Sequence, residues 1–376
     1  MEGFRNYERA AAEFSPEINV ITGTNAQGKT NLLEAVYLLT GGKSFRARSD
    51  GELIGFGREE AEIFAEIDAR GREQSVRLRL ARGQKKRITR NGVKTGASEL
   101  SEMICAVLFC PDDLELVKAG AAQRRKLLDM DISQLRPGYA AALSEYNRLC
   151  AHKLRILKDW ENREDLRALL DDFSASMCRV GSKLIRYRAA FTARLAEKAR
   201  EIALDFSGGG ESLSIAYQTV SSVTDPLAPQ SAVLEQLRAH QAAHRQAEIL
   251  ARTCLTGPHK DDLVFCVNGV PAKNYASQGQ TRTAVLSVKL AEREIFLEET
   301  GEYPILLLDD VLSELDADRQ AYVLGSIGGG QTLITCCEDG GLAARTGGRI
   351  LTVSGGIIRS RQRPGEEPFP GETGAL

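Results

Sequence analysis

The period of the apolar positions changes along the chain, and each change marks a different kind of element. Glu17–Thr22 (EINVIT) alternates apolar and polar residues and predicts a short buried strand. It meets Gly23 and is followed by KTNLLEAVYLL, where Leu32, Leu33, Val36 and Leu39 fall on one helical face. Residues 52–110 predict β-structure. There Val76, Leu78 and Leu80 alternate with arginines, and Asn91-Gly92 is a hairpin signal.

From 113 to 204 the pattern is helical, rich in Leu, Ala, Arg, Glu and Lys, with breaks expected at Arg136-Pro137-Gly138 and at Val180-Gly181. It lacks the sustained heptads of a long coiled coil. Ser207-Gly208-Gly209-Gly210 and Asp225–Pro229 are loops. After about residue 250 the β and α patterns return, with DDLVFCVNGV and then a helix headed by SQGQTR. ILLLDD (305–310), QTLITCC (331–337) and RILTVSGG (349–356) read as buried parallel strands. The Pro-, Gly- and Glu-rich tail from Arg363 predicts disorder. The expected organisation is an α/β domain built from both ends of the chain, residues 1–112 and 250–362, with a helical insert at 113–249 and a disordered tail at 363–376.

Composition narrows the classes. With 43% hydrophobic and 27% charged residues the chain is an ordinary globular one, and no apolar run approaches the length of a membrane span. The N-terminal stretch lacks the apolar core of a secretory signal. Eight scattered cysteines without a C-x-x-C pair fit free thiols in a reducing cytosol. His240 and His244 have helical ligand spacing, with no Cys or second His cluster near in sequence to complete a metal site.

Net charge is −2, so any attraction to nucleic acid must be local. Val76–Lys94 holds eight basic residues and no acidic one, and Phe173–Arg200 holds seven against one. Lys85, Lys86, Arg87, Arg90, Lys183, Arg186 and Arg188 are the candidate phosphate contacts. Solvated faces of a hairpin and a helix are the plain alternative.

Three motifs carry chemistry. Gly23-Thr24-Asn25-Ala26-Gln27-Gly28-Lys29-Thr30 fits G-x-x-x-x-G-K-[ST] between a strand and a helix. Its glycines let the backbone wrap phosphates and its helix-start amides point at them. Lys29 would reach the β- and γ-phosphates of ATP, and Thr30 would ligand Mg²⁺. The four apolar residues before Asp309 and Asp310 form a strand that delivers both carboxylates to the nucleotide. Asp309 is placed to hold Mg²⁺ and Asp310 to orient and polarise the attacking water. A helix N-cap would explain one aspartate but not both.

Ser277, Gln278, Gly279 and Gln280 form a second anion cradle at a helix N-terminus. One γ-phosphate has no need of two cradles from one chain. The economical reading gives the second to a nucleotide held by another copy, in a homodimer with two buried ATPs. An ordinary helix cap is the alternative. Ser313–Asp316 would line the same seam, and Thr335 would sense the γ-phosphate.

These motifs, in this order, resemble the ABC-type ATPase heads of the SMC-like superfamily, and most closely the RecF family of bacterial DNA replication and repair proteins. The stretches that carry the resemblance include FRNY (4–7), INVITGTNAQGKTNLLEAVYLL (18–39), GKSFRA (42–47), LFCPDDLELVKAG (108–120) and RRKLLD (124–129). TGPHKDDL (256–263), SQGQTR (277–282) and LLLDDVLSELD (306–316) complete the set.

The resemblance implies an α/β fold, an ABC-type P-loop ATPase head with a mixed sheet, a β-subdomain and an inserted α-helical arm. It implies a cytoplasmic, nucleoid-associated protein that dimerises on ATP and hydrolyses it slowly with DNA stimulation. Such a protein binds double-stranded and gapped or junction DNA without sequence preference. It acts with RecR and RecO to load RecA onto strands covered by single-strand binding protein, and supports replication forks and the SOS response. Ser277–Gln280 would be the family's signature, and Cys110–Asp113 the loop coupling nucleotide to the arm. The chain departs from the pattern in its short lead before Phe4, in Asp112 for a glutamate, and in Cys336-Cys337 where threonines are usual. Asp310 also stands for the glutamate of the wider ABC superfamily.

A transporter ATPase subunit would have a much shorter insert. A structural SMC protein would need a far longer coiled coil. A binding module gated by nucleotide, with incidental hydrolysis, stays open.

Overall fold

A computed structural model describes residues 1–69, 71–159 and 164–361. The tail expected to be disordered from 363 lies outside the described residues. Strands β1 (Glu2–Phe4) and β2 (Tyr7–Arg9) come first, then β3 (Ile18–Thr22) and helix α1 (Lys29–Leu38). β4 (Glu60–Ala69), β5 (Arg72–Ala81), β6 (Arg87–Arg90), β7 (Val93–Lys94), α2 (Ala97–Ser101) and β8 (Ala106–Phe109) follow. Helices α3 (Ala121–Leu135), α4 (Pro137–Asp159) and α5 (Glu164–Phe206) lead to β9 (Leu213–Gln218) and α6 (Gln230–Ala251). Next come β10 (Asp262–Val267), β11 (Val270–Pro271), α7 (Ala272–Tyr275) and α8 (Gln278–Thr300). The last elements are β12 (Ile305–Asp309), α9 (Ala317–Ser326), β13 (Thr332–Cys336), α10 (Leu342–Thr346), β14 (Arg349–Ser354) and β15 (Ile357–Arg361).

The chain packs as two compact units, Met1–Asp113 with Phe296–Leu376, and Leu114–Ile295. The first contains two six-stranded sheets. One runs β15-β14-β3-β13-β12-β8, parallel except for β15. Its register aligns Thr335 with both Asp309 and Ile21, and Cys336 with Thr22. The carboxyl ends of three strands therefore open into one crevice, where ligands of parallel sheets bind. The central strands are mostly apolar because helices cover such sheets. Val20, Ile21, Leu307, Leu333 and Ile334 are all fully buried.

The second sheet of this unit, β2-β1-β4-β5-β6-β7, is antiparallel. Val76, Leu78, Leu80 and Ile88 form its buried face, while Arg77, Arg79 and Arg87 share the other. Asn91 (φ 50) and Gly92 (φ 78) make the expected two-residue turn, in the left-handed conformations such hairpins need. A two-residue turn, with Arg5 at φ 52, joins β1 to β2, and the amino group of Met1 donates to Ala10 O at 2.8 Å. α1 is buried nearly all round, Glu34 included, and so has more than the one apolar face its periodicity suggests.

In the second unit α4 and α5 form a helical hairpin, and α5, at 43 residues, is about 64 Å long. Pro137 starts α4 as expected. The break expected at Val180-Gly181 is absent: α5 runs straight through. A Cβ on Gly181 would lie 3.0 Å from Pro258 and 3.4 Å from Tyr146, so this glycine serves close packing and not a turn. α6 packs on α5 through Cys178, Ile185, Val233 and Leu237. DDLVFCVNGV forms β10 and the start of β11, and β10 pairs antiparallel with β11 on one side and with β9 on the other in a separate three-stranded sheet. Among the described residues no helix is long and apolar enough to cross a membrane.

Candidate functional site

The loop after β3 cannot be built from ordinary residues. Gly23 has φ 152, and a Cβ there would lie 2.2 Å from the carbonyl oxygen of Val353. Gly28 has φ 119, and a Cβ there would strike the Asn6 amide and come within 3.0 Å of the Tyr7 hydroxyl. Those two residues brace the loop. Asn6 Nδ2 donates to Gln27 O at 2.8 Å and the Tyr7 hydroxyl to Gly28 O at 2.9 Å. Gln27 Oε1 accepts from Gly355 N at 2.6 Å, which turns its side chain toward the β14–β15 turn.

α1 begins at Lys29, so its first amides face the loop. Lys29 Nζ donates to Gly23 O at 2.5 Å and to Thr24 O at 3.1 Å. Thr30 Oγ1 donates to Asp309 Oδ1 at 2.9 Å. The same carboxylate oxygen accepts from Thr335 Oγ1 at 2.9 Å, and Thr335 Oγ1 accepts from Asp310 N at 2.8 Å. Asp310 has φ 54, a conformation rare for aspartate, which swings its carboxylate away from the path of the strand. Burial pushes the Asp309 carboxyl above its ordinary value. The Thr30 and Thr335 hydroxyls oppose that shift, and the charge of Asp310 adds to it.

Asn25, Ala26, Gly28, Lys29, Thr30, Asp309 and Asp310 line one cavity of about 180 Å³. Gly23, Thr24, Gln27 and Thr335 are not in its lining. Thr335 is buried, its hydroxyl donating to the Asp309 carboxylate and accepting from the Asp310 backbone amide.

Asn31 and Arg46 also line the cavity, and the sequence did not mark them. Arg46 bonds to Asn31 and, through Nε and Nη2, to Glu34 Oε2 at 3.1 and 2.8 Å. Arg5 completes the cluster, with Nη2 2.8 Å from Glu34 Oε1. Burial alone would raise the Glu34 carboxyl. Hydrogen bonds from Arg5, Arg46 and Ser44 outweigh it and hold the group below its usual range. A glutamate in an apolar helical stripe was the only sequence sign that cations had to come to it.

The oxygen donors of Thr30 and Asp309 suit a hard cation such as Mg²⁺. Among the described residues no group of three or more His, Cys, Asp or Glu is placed to hold a metal by itself. A cation held here would need further ligands from phosphate or water.

In the other unit, Ser277 Oγ accepts from Gln280 N at 3.1 Å, and Gln280 Oε1 accepts from Ser277 N at 3.1 Å. This is a capping box. Ser277 O also accepts from Thr281 Oγ1 at 2.9 Å. Ser277 and Gln278 are exposed, Gly279 and Gln280 half-buried. The box uses the Ser277 oxygen as an acceptor, and a serine hydroxyl can also donate.

The candidate phosphate contacts divide. Lys85 and Arg87 are exposed, as are Lys183 and Arg186 on α5. Lys86 Nζ is bonded to Gly42 O and to Asp50 Oδ1 at 2.9 Å, and Arg90 to Gln74. Arg188 is corrected outright. It is 3% exposed, and its guanidinium meets Asp129 Oδ1 at 2.7 Å, Asp261 Oδ2 at 2.9 Å and Pro258 O at 2.6 Å. The hydrophobic spacing of α5 turns this position inward, where a cation survives only when paired. The TGPHKDDL stretch supplies that pairing, and Asp262 does the same for Arg124.

The family model described as the RecF/RecN/SMC N terminal domain matches residues 1–343. The DNA replication and repair protein RecF of Bacillus subtilis (strain 168) is 37% identical over 364 residues, covering 96% of this chain and 98% of that protein. The RecF protein of Listeria welshimeri is 42% identical over 356 residues, covering 91% and 92%. A solved structure of the recombination mediator protein RecF-ATPrS in the RecFOR pathway matches with a TM-score of 0.88 at 32% identity, covering 96% of both chains. An Smc head domain derived from Pyrococcus furiosus matches at 0.53 with 17% identity, covering 96% of this chain and 94% of that one, a likeness of fold alone.

Proposed function

This chain belongs to the RecF family of DNA replication and repair proteins, and from that premise we propose that it is an ATP-dependent DNA-binding protein of recombinational repair. ATP binds with its β- and γ-phosphates in the loop Gly23–Thr30. Lys29 exchanges its bonds to Gly23 and Thr24 for phosphate oxygens. Thr30 and Asp309 hold Mg²⁺, which when bound offsets the negative charge between carboxylate and phosphate. Asp310 orients the attacking water and takes its proton, and Arg46 steadies charge at the cavity wall. Thr335 holds the Asp309 carboxylate and the Asp310 backbone amide in place. A shorter carboxylate than the glutamate of the wider superfamily fits slow turnover.

Ser277–Gln280 closes over the nucleotide of a second copy, so ATP joins two chains and hydrolysis releases them. The joined pair binds duplex and gapped DNA through phosphates, with Lys85, Arg87, Lys183 and Arg186 as contacts, and affinity falls steeply with salt. Its setting is the nucleoid, with RecR and RecO, in support of RecA loading.

The bond from Thr30 to Asp309, across 279 residues of sequence, carries this reading, because it pairs the two halves of a phosphate–metal site. ATP hydrolysis with and without gapped duplex DNA tests it, with Lys29→Ala as the control. Hydrolysis rises with DNA and vanishes in the variant. Nucleotide-dependent DNA binding with a rate indifferent to DNA would favour the gated binding module instead.

A further inference from the structure

Two cations line the phosphate cavity. Lys29 bonds to backbone carbonyls, whereas Arg46 is anchored to a buried carboxylate. That carboxylate is Glu34, which is 0% exposed and follows Thr30 by four residues on α1, so the two share a helical face. It accepts five hydrogen bonds. Oε1 takes Arg5 Nη2 at 2.8 Å and the Ser44 hydroxyl. Oε2 takes Arg5 Nε at 2.8 Å, and Arg46 Nε and Nη2 at 3.1 and 2.8 Å.

The two arginines are used differently. Arg5 commits every nitrogen, Nε and Nη2 to Glu34 and Nη1 to Glu52 O at 2.7 Å, and its backbone amide donates to Leu53 O at 2.8 Å. Arg46 commits Nε and Nη2 to Glu34, and Nη2 also to Asn31 Oδ1. Among the described residues its Nη1 has no partner. The main chain of Arg46 is fixed as well. The Ser44 hydroxyl that donates to Glu34 accepts from the amides of Arg46 at 3.0 Å and Ala47 at 2.8 Å. Glu34 therefore holds Arg46 at both ends, guanidinium and backbone.

The charges point the same way. One carboxylate facing two guanidinium groups leaves one positive charge over. Arg5 is the more enclosed, its side chain 20% exposed against 39% for Arg46. An anion that neutralises the surplus finds its open donor edge at Arg46, in the cavity wall.

We propose that Glu34 is a positioning residue for ATP hydrolysis, holding Arg46 so that its Nη1 edge meets a phosphate oxygen of the bound nucleotide. The inference rests on the ATPase reading above and adds the group that sets where its arginine acts. A guanidinium already pinned through Nε and Nη2 loses little freedom when it meets phosphate. A donor preorganised in this way acts most strongly on charge that develops during the reaction, so its effect belongs on turnover more than on affinity.

Steady-state ATP hydrolysis by full-length wild type, Glu34→Gln, Arg46→Gln and the double variant tests this. Glu34→Gln should lower kcat on the order of tenfold and change KM by less than about threefold. With Arg46 already replaced, Glu34→Gln should lower kcat no further, because both changes remove the same contact. Ser44→Ala leaves the carboxylate its two arginines and decides the matter if Glu34→Gln does not fold. It should lower kcat about threefold, and only while Arg46 is present. A wild-type kcat in Ser44→Ala, or losses that multiply when Arg46→Gln is added, would overturn the proposal and leave Glu34 a structural anchor. Wild-type hydrolysis that survives Lys29→Ala is a different failure, one that removes the ATPase reading and this proposal with it.

Discussion

Two polar turns in this molecule each open a helix, and they are built in opposite ways. The Gly23–Thr30 loop is held by residues far from it in sequence. Asn6 and Tyr7 bond its carbonyls, Gly355 its Gln27 side chain, and Asp309 its Thr30 hydroxyl. The Ser277–Gln280 turn has its side-chain bonds with its own neighbours, through the capping box and Thr281. The first is a cradle finished within its own unit. The second is preorganised but open, and under the proposed function it would act only when a partner brings the phosphate. The same proposal therefore asks one turn to bind ATP alone and the other to bind it only across a dimer.

The largest expected effect separates structural cations from functional ones. Arg188→Ala removes a buried cation from between Asp129 and Asp261, and should cost about 3–5 kcal/mol in denaturant unfolding. Lys85→Glu with Arg87→Glu should leave stability within about 0.5 kcal/mol and weaken DNA binding to all sequences alike. Unchanged DNA affinity would reduce that hairpin to a solvated face.

Next comes the contrast between the turns themselves. Lys29→Ala should weaken ATP binding on the order of a hundredfold, through loss of charge-assisted bonds. Ser277→Arg should leave ATP binding by the monomer within about twofold and abolish ATP-driven dimerisation. Titration with a fluorescent nucleotide reads the first quantity and sedimentation the second. Lost binding in Ser277→Arg would mean that the turn serves its own chain.

A smaller effect is expected behind the carboxylates. Thr335→Val keeps the shape but removes the hydroxyl that holds Asp309 and Asp310. Steady-state hydrolysis should fall about tenfold, ~1.4 kcal/mol, with ATP affinity nearly unchanged. A loss of affinity in place of rate would put Thr335 on the nucleotide.

The smallest effect distinguishes the two units by acid. All four histidines lie in the second unit, at 152, 240, 244 and 259. Burial lowers His240, with His244 adding to the shift, and burial likewise lowers His259. A histidine with a lowered folded value binds fewer protons folded than unfolded. Its contribution is present above about pH 6.5 and is lost as pH falls through that value toward the folded one. Hydrogen exchange at pH 7.5 and 5.5, corrected for intrinsic rates, should show protection lost in Leu114–Ile295 first. Equal loss in both units would contradict this assignment.

The nucleotide cradle was legible because its chemistry is local. Glycines at Gly23 and Gly28, a lysine and a threonine stand in eight consecutive residues, and ILLLDD announces a strand that ends in acid. The parts that escaped are those decided by distant packing. Arg46 looks like any loop arginine until Glu34 is seen to be buried beside it. Arg188 sits in a basic run, and only the packing of α5 shows it facing Asp261. Gly181 reads as a helix break until Pro258 occupies the space its side chain would need. Asp262–Val267 has an evident strand pattern, yet nothing local tells it to pair with Leu213–Gln218. Periodicity identifies an element and its apolar face, but the partner of that face is a tertiary matter.

The most direct test is the solution mass of Asp310→Asn protein, by light scattering, without nucleotide, with ADP and with ATP and Mg²⁺. Removing the carboxylate that activates water should trap the ATP-bound form. Mass should rise from 41.0 kDa to about twice that value with ATP alone. A mass of one chain in all three conditions, with ATP shown to be bound, would contradict the dimer and leave Ser277–Gln280 as a helix cap.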